Sequence, residues 1–227
     1  MAEVTKVRTR KSPNGNASGS PVAARVDELC AQAQTDPAGA RDVAWDWIAE
    51  LGRRARGDRA GALDELQQLF ESGQPATGID GQTEGILVTW TMNPAADKAI
   101  GTITNAWMPW LGKKFYAEKD RGENTLTGSA RWPAKLLWPL YRMSDSPLGR
   151  TAFGFETYVE AGKLDPGVEV LVIDYARVND NPRLLIRQIR DELVQVVPGA
   201  NLGKMLVAVP GRSELLAACY FALRSDL

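Results

Sequence analysis

From residue 21 to about 73 the apolar positions recur every three or four residues, the period of an α-helix with one buried face. Val22, Val26, Leu29, Cys30 and Ala33 follow this spacing after Pro21 and predict a first helix. The stretch "TDPAGARDVAWDWIAELGRR" predicts a second. Asp36 stands at its N-cap, Pro37 at its first turn and basic residues in its last turn, where the helix dipole favours them. Its apolar face is Val43, Ala44, Trp47, Ile48 and Leu51. Asp58 caps a third helix whose stripe is Leu63, Leu66, Leu69 and Phe70, and Gly73 ends it. Three short amphipathic helices each need a surface to cover.

After "GQPATGIDGQ" the pattern changes. Runs rich in Val, Ile, Thr, Trp and Tyr alternate with Gly, Pro, Asn and Asp. Strands are predicted near 84–92, 100–107, 112–117, 124–132, 135–142, 151–160, 168–176, 186–197, 202–209 and 215–224. Short strands at this spacing, with no long helices between them, imply an antiparallel sheet that closes into a barrel. In "PRLLIRQIRDELVQVV", Leu185, Ile189, Leu193 and Val196 also fit a helix, and the strand reading is preferred. The fold class expected is therefore α+β: a helical segment over 21–75, then an antiparallel β-barrel of about eight to ten strands over 80–227.

Residues 1–20 are polar and hold Lys6, Arg8, Arg10 and Lys11 against Glu3. They bury too little surface to offset the entropy of ordering, so a disordered basic tail is expected. Contact of this tail with RNA or acidic lipid is the functional alternative to a solvated tail. The whole chain has a net charge of −1, which gives no general reason to expect nucleic acid as a partner. The N-terminus has no apolar core of signal-peptide length, and no apolar run approaches the length of a membrane span. A cytoplasmic protein is expected, which makes the sequon at Asn16 irrelevant.

Two exclusions narrow the chemistry. The sequence has no histidine, which removes Ser-His-Asp and Cys-His nucleophile systems and His-ligated metals. Its two cysteines, Cys30 and Cys219, form neither a disulfide framework nor a four-thiolate cluster, and both are expected as buried free thiols. No cofactor or metal is expected. The stretch "VVPGANLGKML" suggests a phosphate-binding loop, but Gly199 and Gly203 enclose three residues rather than four. Met205 also stands where a hydroxyl would hold magnesium, and a strand rather than a helix follows. Pro198 to Asn201 instead read as a hairpin turn, with Lys204 on the returning strand. "WLGKKF" at 110–115 repeats the Leu-Gly-Lys without the first glycine.

Candidate site residues come from aromatic density and from charges within apolar strands. Trp90, Trp107, Trp110, Trp132 and Trp138 all fall in the β region and suit either core or an apolar pocket. In "VEVLVIDYA" Asp174 ends an apolar run and Tyr175 follows it. Asp174 could pair with Arg190 or Arg187 across a hairpin, or act as a buried acid or base. Strand alternation puts Arg190 and Glu192 on one face and Asp191 and Leu193 on the other, without saying which face is inside.

The stretches "WMPWLGKKFY", "VLVIDY", "IRDELVQVVPGANLGKM" and "CYFALRS" resemble uncharacterised actinobacterial lipocalin-like barrel proteins and, more distantly, the bacterial GXWXG family. The resemblance covers about residues 80–225 and not the helices. Gly85 and Trp90 are spaced more widely than that family's Gly-x-Trp-x-Gly. It implies a lipocalin-like barrel that binds a small hydrophobic molecule, of fatty-acyl or polyketide-like chemistry. Trp90, Trp107, Tyr116 and Trp138 would supply apolar walls, and Arg142, Arg190 or Lys204 would anchor a polar head. Two other readings stand beside it. One is a carboxylate-dependent isomerase, cyclase or hydrolase using Asp174, Glu192 and Tyr175. The other is an interaction module whose helices present Trp45 and Leu51 to a partner.

Overall fold

Each helix starts where its sequence caps it. The computed structural model describes residues 19–91, 110–128, 141, 143–183, 186–208 and 215–226. In it α1 spans Pro21–Ala33, α2 Pro37–Arg54 and α3 Arg59–Glu71. Ser20 accepts a hydrogen bond from the Ala23 amide (3.1 Å), Asp36 from Gly39 (2.9 Å) and Asp58 from Gly61 (3.0 Å). Side chains thus satisfy amides that the first helical turn leaves without partners.

The strands are β1 (Gln74–Pro75), β2 (Gly81–Gln82), β3 (Glu84–Trp90), β4 (Trp110–Tyr116), β5 (Arg121–Leu126), β6 (Ser144–Ser146), β7 (Gly149–Ala161), β8 (Glu169–Asp174), β9 (Ile189–Val197), β10 (Ala200–Ala208) and β11 (Leu215–Arg224). Their order in the sheet is β2-β4-β5-β7-β8-β9-β10-β11-β3, with β1 on β9 and β6 on β7, and every pairing is antiparallel. β2 and β3 are neighbouring pieces of one segment, which bonds to β4 at its start and to β11 along the rest. The Thr83 amide and hydroxyl both donate to the Lys113 carbonyl at 2.8 Å, so the sheet nearly closes on itself as a barrel. Residues 189–197 are strand, preceded by a short 3-10 turn over Ile186–Gln188. The expected hairpin between β9 and β10 is present, with Gly199 at φ 79°.

The barrel wall is buried on two sides. Its outer face carries Val170, Val172, Val194, Val196, Leu202 and Tyr220, which share one cluster with the helix residues Trp47, Ile48, Leu51, Leu66 and Phe70. Its inner face carries Phe115, Phe155, Ile173, Leu193, Phe221 and Leu223. Side chains of this kind contribute roughly 1.5–3 kcal/mol each when fully removed from water. The helices lie with their apolar faces against the wall. Trp45 (7% exposed) and Leu51 (1%) are buried, which corrects the expectation that they form an interaction face. Val43, expected in the buried stripe, is 41% exposed, and Trp45 and Ala40 are buried instead. Cys219 is buried as expected but Cys30 is exposed, its thiol directed at the Val196 carbonyl. The expected tail over 1–20 falls almost wholly outside the described residues, as do the strand expected at 100–107 and nearly all of the one expected at 135–142.

Aromatic rings set against glycines fill the interior. A Cβ on Gly203 would lie 2.1 Å from the Phe221 ring, one on Gly122 2.4 Å from Phe155, and one on Gly85 2.5 Å from Trp110. The glycine of "LGKM" is therefore a seat for a ring. Gly203→Ala is expected to lower stability by about 1–3 kcal/mol through overpacking, and adding Phe221→Leu should recover part of the loss. Urea denaturation of Gly203→Ala, Phe221→Leu and the double variant checks this, with non-additivity as the signature.

Candidate functional site

Inside the barrel four polar side chains meet. Lys113 stands on the inward parity of β4 with Phe115, Asn124 is its direct partner on β5, and Asp191 points inward from β9 beside Leu193. Tyr175 follows the last residue of β8 and turns its ring into the same interior. The Lys113 ammonium, with the side chain 3% exposed, donates to Asn124 Oδ1 (2.9 Å), to Asp191 Oδ2 (2.9 Å) and, through a short bond, to the Tyr175 hydroxyl. All three of its donors are used. Tyr175 donates to Asp191 Oδ2 at 3.0 Å, and Asn124 Nδ2 donates to the Tyr175 oxygen at 3.1 Å. The Trp110 indole N–H also donates to Asn124 Oδ1, at 3.1 Å.

Rings surround this cluster. Lys113 Nζ lies 5.2–5.5 Å from the centroids of Trp110, Phe155, Tyr175 and Phe221. Asp191 Oδ1 is buried without a hydrogen-bond partner, so the carboxylate is only half satisfied in an apolar interior. Burial, and then the Asp191 charge, push the Tyr175 phenol well above its ordinary range, so it stays a donor. The same two causes hold the Cys219 thiol protonated. Asn124 is also fixed from its other side, because Nδ2 donates to the Phe153 carbonyl at 3.3 Å. Phe153 sits at φ 55°, a left-handed conformation rare for a bulky residue, and its amide donates to the Tyr141 hydroxyl.

A second feature lies at the end of the barrel that carries the β4–β5, β7–β8 and β9–β10 hairpins. After α3 the chain pairs briefly with β9 as β1, crosses this end and joins β4 as β2. Between this strap and the wall is a cavity of about 260 Å³, lined by Ala76, Ile79, Phe115, Thr157, Val159 and Leu171. Phe115 and Leu171 belong to the filled interior and give the cavity an apolar floor, while Asp120 also lines it. Arg121 stands at its rim, 3.0 Å from the Glu156 carboxylate.

The residues nominated from sequence do not converge. Asp174 and Glu192 are on the outer face and Tyr175 is inside, so no carboxylate pair forms around that phenol. Asp174 bonds to Tyr158 (3.1 Å) and Arg177 (3.3 Å), in place of the expected Arg190 or Arg187. Its register partner Arg190 turns instead to Glu192 (2.8 Å) and Glu160 (3.0 Å). Glu192 is fully buried under the β7–β8 connection, where it accepts from the Lys163 amide at 2.9 Å. Lys204 also faces outward, wedged between Asp165, Gln67 of α3 and the Phe70 ring. It is therefore not an inward anchor for a ligand head. Tyr116 points outward and donates to Glu123 at 2.6 Å. Trp90 is half-buried opposite Cys219. Trp107, Trp138 and Arg142 lie outside the described residues. The inward residues Lys113 and Asn124 were not nominated, although Lys113 belongs to the "WLGKKF" stretch. The available signal was parity: Lys113 shares a strand face with Phe115, as Asp191 does with Leu193.

Fold and site together define an antiparallel β-barrel protein with a ring-filled interior, one buried polar layer and a helical cover on part of its wall. No protein-family model matches the chain, and no curated protein does. Among solved structures it is similar to a protein from Thermomonospora curvata, at 16% identity and a TM-score of 0.41, over 78% of this chain and 99% of that one. Among the described residues no helix is long and apolar enough to cross a membrane, and no three or more Cys, Asp or Glu side chains cluster as a metal site would require.

All five tyrosines have phenols raised above the ordinary value. Tyr116 is pushed up to about 12 by its bond to Glu123, and burial is the first cause for Tyr141, Tyr158, Tyr175 and Tyr220. The unfolded value is about 10. The stability this contributes is therefore complete below about pH 10 and is lost as pH rises through the folded values. Ultraviolet phenolate absorbance should appear above pH 10 together with loss of circular dichroism, and a native titration near 10 would contradict it. Thiol labelling of the native protein is expected to modify Cys30 alone, with Cys219 reacting only after denaturation.

Proposed function

We propose that the protein binds a small, compact and largely apolar molecule at the hairpin end of its barrel. The observation that carries this reading is the cavity of about 260 Å³ floored by Phe115 and Leu171. Its size is below the roughly 300–1,000 Å³ of drug-sized pockets. Phe115, Phe155 and Phe221 pack in the buried interior beside it, so among the described residues a compact ligand fits better than a long acyl chain. A short acyl group or a single aromatic ring suits the space. The Arg121 guanidinium at the rim is mostly exposed, and its bond to Glu156 is a surface one, so it is available to a carboxylate or hydroxyl on the ligand.

The test is a thermal-shift screen against short-chain and aromatic carboxylic acids, with mass spectrometry of small molecules released from the native protein. Binding should raise the melting temperature. Val159→Trp, a change at a half-exposed rim position, should fill the cavity and weaken binding at least tenfold. A panel with no shift and no released molecule, or a shift that survives Val159→Trp, would remove the reading.

A further inference from the structure

The polar layer inside the barrel has the parts of an amide-forming reaction between its own side chains. We infer that Lys113 and Asn124 become joined by an isopeptide bond, formed by the folded protein without a cofactor. This inference does not rest on the ligand cavity, which is at the hairpin end.

Each group stands where the chemistry needs it. The nucleophile is Lys113 Nζ, 2.9 Å from the carboxamide oxygen of Asn124, with Cγ one covalent bond further on. A lysine attacks only as the free amine, and a desolvated site next to a base supplies that form. Asp191 Oδ2, at 2.9 Å, is the base. Its other oxygen has no donor, and four rings exclude water, so the charged pair is poorly solvated. Transfer of one proton from the ammonium to the carboxylate removes both buried charges at once. The Trp110 indole N–H on Asn124 Oδ1 (3.1 Å) polarises the carbonyl and stabilises the oxyanion that attack creates. The Tyr175 hydroxyl touches Lys113 Nζ, Asp191 Oδ2 and Asn124 Nδ2, so it links the attacking and leaving nitrogens. The Phe153 carbonyl, presented by its left-handed backbone, holds the carboxamide in place.

The steps balance. Asp191 takes one proton from the Lys113 ammonium, and Nζ forms a bond to Asn124 Cγ. A second Nζ proton passes through the Tyr175 hydroxyl to Nδ2. The Cγ–Nδ2 bond then breaks and ammonia leaves. No electron is transferred and no co-reactant is needed. Holding both groups in one rigid interior replaces a bimolecular encounter and lowers the barrier to attack. The bond would tie β4 to β5 across directly paired positions.

Intact mass measurement of the purified full chain under denaturing conditions decides the matter. The expected mass is lower than the sequence mass by about 17 Da, that of ammonia. Trypsin should then leave residues 99–114 joined to 122–131, with no cleavage after Lys113. Lys113→Arg should restore the full mass for its sequence. A folded wild-type chain at full mass with both peptides separate would overturn the inference, as would a deficit that persists in Lys113→Arg. The ligand screen reads out independently of this mass, so either proposal can fail while the other stands.

Discussion

Strands β8 to β11 are buried on both faces, and the rest of the molecule follows from that constraint. An antiparallel sheet in a small barrel ordinarily keeps one face for solvent, and its residues alternate accordingly. Here three helices cover the outside of the wall, and rings fill the inside. Every polar group on these strands must then find a partner in a dry setting. Beside the ion pairs of Arg190 with Glu192 and Glu160, two networks meet this demand among the described residues. Lys204, Asp165, Gln67 and Tyr220 bond to one another between the wall and α3. Lys113, Asn124, Tyr175 and Asp191 do so inside the barrel.

The two networks differ in character. The outer one is closed: the Lys204 ammonium has an acid and an amide as partners, and it sits above the Phe70 ring. Such an arrangement fixes how α3 docks on the wall. The inner one leaves Asp191 Oδ1 without a donor and aims a lysine, an indole N–H and a phenol at a single carboxamide. Burying an incompletely satisfied charge costs stability, and a fold that keeps one at its centre holds that energy available for chemistry.

Packing also limits what the barrel can hold. Phe221 over Gly203 and Phe155 over Gly122 place rings in the interior against the neighbouring strand, where a Cβ would otherwise stand. Among the described residues a cavity of about 260 Å³ remains at the hairpin end, beneath the strap formed by residues 74–82. The glycines that make this possible include the one whose neighbour, Lys204, suggested a phosphate loop. Its geometric role is to admit a ring from the adjacent strand.

The sequence by itself determined the helices, the strands it shares with the described residues and the class of fold. Capping residues and periods of 3.6 and 2 are local properties, legible from Asp36 and Asp58 through to the run at 215–224. It also separated Arg190 and Glu192 from Asp191 and Leu193 by parity. Only the tertiary structure decided which of those faces is inside. With both faces of β9 and β10 buried, hydrophobicity gives no contrast between core and exterior. Lys204, expected as an anchor for a ligand head inside the barrel, thus faces the helices together with Glu192, whose side strand alternation leaves open, while Lys113, not singled out, sits among four rings. The meeting of Lys113, Asn124, Tyr175 and Asp191 depends on barrel closure and strand register, which join positions up to 78 residues apart. No local pattern encodes that distance.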